Sequence, residues 1–125
     1  MSPSAILVAT DFSPAAAAAV GHAARLALAD RARLHILHVL PGHVLPGHEE
    51  HADADERRRC LERIGQSIDA ETELALPTVK EVRHGVAHAA ITAYAREHGV
   101  GLIVIGTHGR TGLGRLALGL SLIHI

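Results

Sequence analysis

Unbroken apolar runs alternate along the chain with segments that repeat apolar residues at helical spacing. The runs are Ala5–Ala9 and Leu102–Ile105; Leu34–Val39, in which His35 and His38 interrupt the apolar residues, is the second predicted strand. A strand with one face in water alternates apolar and polar residues, so unbroken runs predict strands buried on both faces, as in a parallel sheet. Thr78–Arg83 predicts a further strand, the third in chain order, whose start is limited by Pro77.

Three helices are predicted between these strands. Ser13 is a good N-cap and Pro14 suits the first helical position, so the first helix begins there. The second covers Glu49–Asp69 and the third Val86–His98, with Gly99 placed to end it. The inward faces follow from the spacing of apolar residues: Val20, Ala24, Ala27 and Leu28 in the first helix, Cys60, Leu61, Ile64 and Ile68 in the second, and Ala87, Ala90, Ile91, Tyr94 and Ala95 in the third.

Strands that alternate with helices predict an α/β fold, a doubly wound and mostly parallel sheet. At 125 residues the chain is long enough for one domain. Lys and Arg number 12 against 13 Asp and Glu, and aromatic residues make up 2%, which argues against nucleic acid as a partner. A single cysteine, Cys60, and the lack of a signal peptide or a long apolar run predict a cytoplasmic protein without a membrane partner.

Two polar segments follow strands and are candidates for binding. Ligands of doubly wound sheets bind beyond the carboxyl ends of the strands, where the strand order reverses. Thr10 and Asp11 follow the first strand, and Gly106–Arg115 follows the fourth. The glycines of the segment Gly106–Arg115 let the backbone approach an anion, and Arg110 adds positive charge, so this segment can form a phosphate cradle. The alternative is a flexible loop that leads into a helix. Neither a Walker A motif nor a convincing dinucleotide fingerprint occurs.

The same residues resemble the universal stress protein family. Ile6–Ser13 is similar to that family's first strand and turn, and Leu37–Val39 to the end of its second strand. The segment from Leu102 to Arg115 is similar to its most diagnostic motif. Gly106, Gly109 and Gly119 keep the spacing Gly-x2-Gly-x9-Gly of the branch that binds nucleotides. The resemblance runs from about Ala5 to Gly119.

This resemblance implies a Rossmann-like sheet of strand order 3-2-1-4-5 and a regulatory protein of the stress response that binds ATP, with or without Mg, or a related adenine nucleotide. Asp11, beside Thr10, would hold the adenosine part, and the backbone at Ala9 and Val39 would line the adenine. The ribose and phosphates would lie against Ile105, Gly106, Gly109, Arg110 and Gly119. The resemblance also implies a homodimer. A scaffold that acts through protein contacts and a weak ATPase stay open as alternatives.

The chain departs from the family pattern after Gly119. The family has Ser or Thr next, whereas this chain has Leu120, followed by Ser-Leu-Ile-His-Ile. Residues 120–125 match the translation of a transposon adaptor used in sequencing libraries. We therefore expect residues 1–119 to form an incomplete domain and residues 120–125 to be a non-native read-through tail, with the fifth strand missing. A natural short variant is the alternative.

Metal binding and catalysis have less support in the sequence. His43, His48 and His51 cluster in a predicted loop, and His84 and His88 lie four apart, but solvated histidines explain them without a metal. Asp11 is the only acidic residue that we can place in the crevice, and phosphoryl transfer needs several positioned groups. Ser13 is explained by its capping role and Cys60 by the core. We expect no catalytic residue and no metal ligand.

Overall fold

The structure is a computed structural model that describes residues 3–42, 50–106 and 121–124. The strands are β1 (Ala5–Ala9), β2 (Arg33–Leu40), β3 (Thr78–His84), β4 (Leu102–Ile105) and β5 (Ser121–His124). The helices are α1 (Pro14–Asp30), α2 (Glu50–Gln66), α3 (Ala70–Ala75) and α4 (Ala87–Glu97). The predicted alternation of strands and helices is confirmed.

The strands form one parallel sheet in the order β3-β2-β1-β4-β5. The sheet therefore grows from β1 in both directions, towards β2 on one side and towards β4 on the other. The order 3-2-1-4 and the Rossmann-like class are confirmed, and the strand order reverses between β1 and β4.

The expectation that the fifth strand is missing is wrong for this structure. Ser121–His124 pairs in parallel with Leu102–Ile105 over four positions. The physical reason is that the outer side of β4 presents backbone N–H and C=O groups, which a further strand can satisfy. The proposed domain boundary at Gly119 lies outside the described residues.

Side chains alternate between the two faces of the sheet, and a separate core lies on each face. One core joins the sheet to α1 and α2 and includes Ile6, Val8, Leu34, Ile36, Ile64 and Val104. The other joins it to α4 and includes Leu7, Leu37, Ile91, Tyr94, Ile103 and Ile105. Both sides of the strands are covered, which explains the unbroken apolar runs.

The helices begin and end for local reasons. The Ser13 side chain accepts a hydrogen bond from the Ala16 N–H at 3.1 Å, and Pro14 follows it. Gly99 has φ of 61° just after α4, which is the left-handed conformation that glycine adopts readily. Asp69 caps α3 through a 2.7 Å bond from the Thr72 N–H. α3 was not predicted, and the second predicted helix extended to Asp69, whereas α2 ends at Gln66.

Most of the predicted inward faces are confirmed. Val20, Ala24 and Ala27 of α1 are buried, but Leu28 is 42% exposed, so its inward placement was wrong. In α4 the buried residues are Ile91, Tyr94 and Ala95, whereas Ala87 is exposed. Leu28 lies in the last turn of α1 and Ala87 is the first residue of α4, so both departures lie near helix ends.

Candidate functional site

A cavity of about 250 Å³ lies at the carboxyl ends of β1, β2 and β4, beside the first turns of α1 and α4. This is the point where the strand order reverses, the usual place for a ligand in a doubly wound sheet. The residues that line it are Ala9, Thr10, Asp11, Ser13, Ala15, Ala16, Leu37, His38, Val39, Ala87, Ile91, Ile105 and Gly106.

Six of the nine residues predicted for the site line this one cavity: Ala9, Thr10, Asp11, Val39, Ile105 and Gly106. They come from three strands that are far apart in the sequence. The remaining three, Gly109, Arg110 and Gly119, lie outside the described residues. The structure therefore brings together the strand-end part of the predicted site.

The turn after β1 is held by its own hydrogen bonds. The Thr10 N–H donates to the Leu37 carbonyl at 2.9 Å and continues the sheet by one residue. The Phe12 N–H donates to Oγ1 of Thr10 at 3.0 Å, and the Ser13 N–H donates to Oδ1 of Asp11 at 2.9 Å. These short side-chain bonds fix the turn and place the Asp11 carboxylate at the rim of the cavity.

Phe12 adopts a left-handed backbone conformation in this turn, with φ of 65°. Its ring contacts the His38 ring at a centroid distance of 4.5 Å, and the Arg63 guanidinium lies over it at 4.0 Å. Nδ1–H of His38 donates to the Thr10 carbonyl oxygen at 2.7 Å. Groups from β2 and α2 thus support a turn that a non-glycine residue rarely adopts.

Val39 presents backbone groups at the edge of the cavity. In a parallel sheet, successive residues direct their N–H and C=O groups to opposite neighbours. Leu37 bonds towards β1, whereas Leu40 accepts from Gly85 beside β3. Val39 therefore directs its backbone groups to the β1 side, beyond Ala9, where β1 ends.

Gly106 lets β4 approach the first turn of α1. A Cβ atom at this position would lie 2.8 Å from the carbonyl carbon and oxygen of Ala15 and 3.1 Å from the Ala16 nitrogen. These are backbone atoms of a helix, so they cannot turn aside as a flexible side chain could. A glycine is needed here for close approach, and the first turn of α1 forms part of the cavity wall as a result.

The floor of the cavity is apolar and comes from the core next to α4. Leu37 and Ile91 are at most 1% exposed, and Ile105 is 2% exposed. The sequence analysis did not assign Leu37, His38, Ala87 or Ile91 to the site. Their position depends on how α4 packs across the sheet, which no local motif encodes, although Leu37 lies within the segment similar to the family's second strand.

A buried polar cluster lies on the same face of the sheet as this floor. Nδ1 of His35 and the Tyr94 hydroxyl share a 2.6 Å hydrogen bond, and the His98 ring stacks on Tyr94 at 4.1 Å. Burial lowers the pKa of His35 to about 4, with a further contribution from the His98 charge, and burial raises the pKa of Tyr94 to about 12. Both side chains are therefore neutral at pH 7.

The outer side of Tyr94 is covered by an ion pair. The Arg83 guanidinium lies 4.7 Å from the Tyr94 ring centroid and donates to Glu97 at 2.5 Å. This hydrogen bond raises the pKa of Arg83 and lowers that of Glu97.

The described residues contain no group of three or more His, Cys, Asp or Glu side chains that could hold a metal ion. Of the histidines considered from the sequence, His84 and His88 are exposed, and His43 and His48 lie outside the described part. Cys60 is buried in the core, and burial raises its thiol pKa. Over the same residues, no helix is long and apolar enough to cross a bilayer.

The family model described as "Universal stress protein family" matches residues 4–122. The chain belongs to the universal stress protein family. This match covers every strand that lines the cavity and confirms the resemblance seen in the sequence. A search of curated proteins gave no match.

Solved structures of the family share the fold over nearly their whole length. A protein of the universal stress protein family from Burkholderia pseudomallei is 28% identical, with a TM-score of 0.74, and the match covers 98% of this chain and 95% of that one. A universal stress protein in complex with cAMP is 20% identical, with a TM-score of 0.69, over 100% and 98% of the two chains. One from Archaeoglobus fulgidus in complex with dAMP is 22% identical, with a TM-score of 0.69, over 100% and 99%.

Proposed function

We propose that this chain binds an adenine nucleotide in the cavity at the carboxyl ends of β1, β2 and β4, and that it acts as a nucleotide-dependent regulator in the stress response. The observation that carries the proposal is the meeting of six predicted site residues, from three separate strands, around one cavity. The complexes of two structural relatives with cAMP and dAMP support this class of ligand.

The two sides of the cavity suit the two parts of a nucleotide. Leu37, Ile91 and Ile105 form an apolar floor on which a purine can lie. Thr10, Asp11 and Ser13 form a polar rim beside the start of α1. A volume of about 250 Å³ is close to the lower end, roughly 300 Å³, of small-molecule pockets, so a nucleoside fits and the phosphates extend towards solvent.

Each contact has a physical basis. The backbone groups of Val39 can bond the edge of the adenine ring, as a further residue of β1 would. The Asp11 carboxylate can accept hydrogen bonds from ribose hydroxyls. Because Gly106 has no side chain, the first turn of α1 packs against the end of β4, and the positive N-terminal end of this helix forms part of the cavity wall, where it favours phosphate.

ATP, with or without Mg, is the specific ligand that we propose, and the phosphates would extend towards Gly109, Arg110 and Gly119. Within the described residues, Asp11 is the only acidic side chain that lines the cavity. A single carboxylate does not supply the metal ligands and water-positioning groups of a phosphoryl-transfer site. We therefore propose that binding, and not turnover, is the activity.

We also propose that the chain forms a homodimer, as its resemblance to the family implies. Sedimentation at several protein concentrations, with and without ATP, would measure this. A monomer at all concentrations up to about 1 mM would refute the dimer and leave nucleotide binding untouched.

Calorimetric titration with ATP, AMP, cAMP and GTP tests the main proposal. We expect saturable binding of adenine nucleotides and a rise in Tm with ligand concentration. Asp11→Asn keeps an oxygen for the Ser13 N–H but removes the charge, so it should weaken binding about ten-fold, close to the loss of one hydrogen bond to a charged group. Asp55→Asn, on exposed α2, is the matched control and should bind as the wild type does.

Two results would contradict the proposal. One is the lack of binding at millimolar ATP, in which case the scaffold alternative gains support. The other is equal affinity of the Asp11→Asn and wild-type chains. Release of radiolabelled phosphate that depends on Asp11 would instead support the weak ATPase.

A further inference from the structure

We infer that Arg63 is a positioning residue for the nucleotide site, because it holds Phe12 in the left-handed conformation that directs Asp11 to the cavity rim. The inference rests on the proposed function and adds a residue on α2 to a site built from strand ends. Arg63 does not line the cavity, so its effect on a ligand would pass through Phe12.

The left-handed turn needs external support. A non-glycine residue with positive φ is strained by an amount of order 1 kcal/mol, and such strain persists only where the surroundings hold it. Phe12 has φ of 65°. The Phe12 N–H donates to Oγ1 of Thr10 and the Ser13 N–H donates to Oδ1 of Asp11, but neither bond involves the Phe12 ring.

The ring is instead held by groups from two other elements. The Arg63 guanidinium carbon lies 4.0 Å from the ring centroid, well within the range of a cation–π contact. The His38 ring lies 4.5 Å away and is itself fixed by its 2.7 Å bond to the Thr10 carbonyl. If Phe12 moved to negative φ, its ring would leave both contacts.

Arg63 is placed firmly although its side chain is exposed. The next residue, Ile64, is fully buried in the core, and Cys60, one turn earlier, is 7% exposed. These residues anchor the face of α2 that packs on the sheet. The guanidinium therefore extends to the turn from a helix that its buried face holds in place. A movement of α2 would shift the contact of Arg63 with Phe12 and, through the turn, the position of Asp11.

A double-mutant cycle tests this role. Arg63→Ala should raise the Kd for AMP by up to about three-fold, since part of the population would leave the competent turn. In a Phe12→Gly background, glycine adopts positive φ without strain and has no ring to hold. There, Arg63→Ala should leave Kd unchanged. Arg59→Ala, which removes the same charge from an exposed position of α2, is the matched control and should leave Kd unchanged in both backgrounds.

The outcomes are distinct. An equal rise in Kd in both backgrounds would show that Arg63 acts directly on the ligand and would overturn the inference, as would no rise in either. Tm values of all variants show which are folded. If the wild type binds no nucleotide, the proposed function fails by itself.

Amide exchange measured without ligand tests the role of Arg63 in the turn separately from the proposed nucleotide binding. The Ser13 N–H bonds to Asp11 only while the turn is formed. Arg63→Ala should therefore speed exchange at Ser13 about three-fold, whereas Arg59→Ala should not. Equal exchange in the two variants would overturn the role of Arg63 in holding the turn, whatever the affinity for nucleotide.

Discussion

The close contact between Gly106 and α1 predicts that the same substitution, glycine to alanine, destabilises the protein at Gly106 and stabilises it at Gly21. Gly106→Ala would place a Cβ 2.8 Å from backbone atoms of Ala15, whereas nonbonded carbon atoms keep about 3.5 Å apart. Gly21→Ala, inside α1, would place its Cβ 3.6 Å from the guanidinium of Arg25, an ordinary contact with a flexible side chain. Gly106→Ala therefore requires β4 and α1 to move apart, whereas Gly21→Ala requires no movement of the backbone.

The magnitudes follow from this geometry. Overpacking of a core costs about 1–3 kcal/mol, so Gly106→Ala should lower the free energy of unfolding by that amount. Gly21→Ala should raise it by about 0.5–1 kcal/mol, because alanine has the higher helix propensity. For a chain of this length, 1 kcal/mol corresponds to a change in Tm of about 3–5 °C.

Urea denaturation and thermal melting of the two variants check the prediction. Gly106→Ala should also weaken nucleotide binding, because the first turn of α1 lines the cavity through Ala15 and Ala16. Gly21 lies two turns along the helix and should leave Kd unchanged. Equal stabilities of the Gly106→Ala and wild-type chains, within about 0.3 kcal/mol, would refute the close approach of β4 and α1 on which the cavity geometry depends.

Three further predictions concern the core, the helix cap and the sheet edge. The pKa of His35 falls from 6.5 to about 4 on folding, so the unfolded chain binds the proton more tightly than the folded chain. The free energy of unfolding should therefore fall by about 3 kcal/mol as pH decreases from 6.5 to 4. His35→Gln should make the urea midpoint depend less on pH over that range. Ser13→Ala should lower stability in urea by about 1 kcal/mol, and a loss under about 0.3 kcal/mol would show that the cap contributes little. The Arg57 guanidinium donates to the Val82 carbonyl at 2.8 Å and to Glu81 at 2.5 Å, so Arg57→Ala should speed amide exchange in β3. Arg58 forms an exposed ion pair with Asp55, so Arg58→Ala should leave this exchange unchanged. Equal exchange in the two variants would contradict the role of Arg57 at the sheet edge.

The strands were predictable because their burial is visible in the residues themselves. Leu102–Ile105 has four apolar residues in a row, and all four are buried between two layers of helices. The start of α1 was predictable as well, since Ser13 and Pro14 satisfy a local requirement that does not depend on the rest of the fold. The strand order 3-2-1-4 came only from the resemblance, because hydrophobic periodicity does not specify which strands pair.

The parts that were missed depend on contacts between distant residues. α3 has six residues, none of them buried, and its local signals are the Asp69 cap and the acidic residues Glu71 and Glu73 in its first turn. The inward placement of Leu28 was wrong because helical spacing gives the angular position of a residue on α1 but not what packs beside it. β5 was missed because the sequence after Gly119 departs from the family pattern, whereas pairing with β4 requires only backbone groups and an extended segment.

The cavity has a polar rim formed by the turn after β1 and an apolar floor formed by the core next to α4. Substitutions at the rim and at the floor should therefore have different effects on binding and stability. Asp11 lies in an exposed turn whose hydrogen bonds span two or three residues, so an isosteric change there alters the ligand contact and little else. Ile91 is 1% exposed and packs in the same core as Leu37, so its truncation removes core contacts and the floor together. Loss of binding without loss of stability is expected at the turn, and coupled loss of both at the floor. A site with this division can change its polar contacts at the rim while the sheet and α4 keep the apolar floor in place.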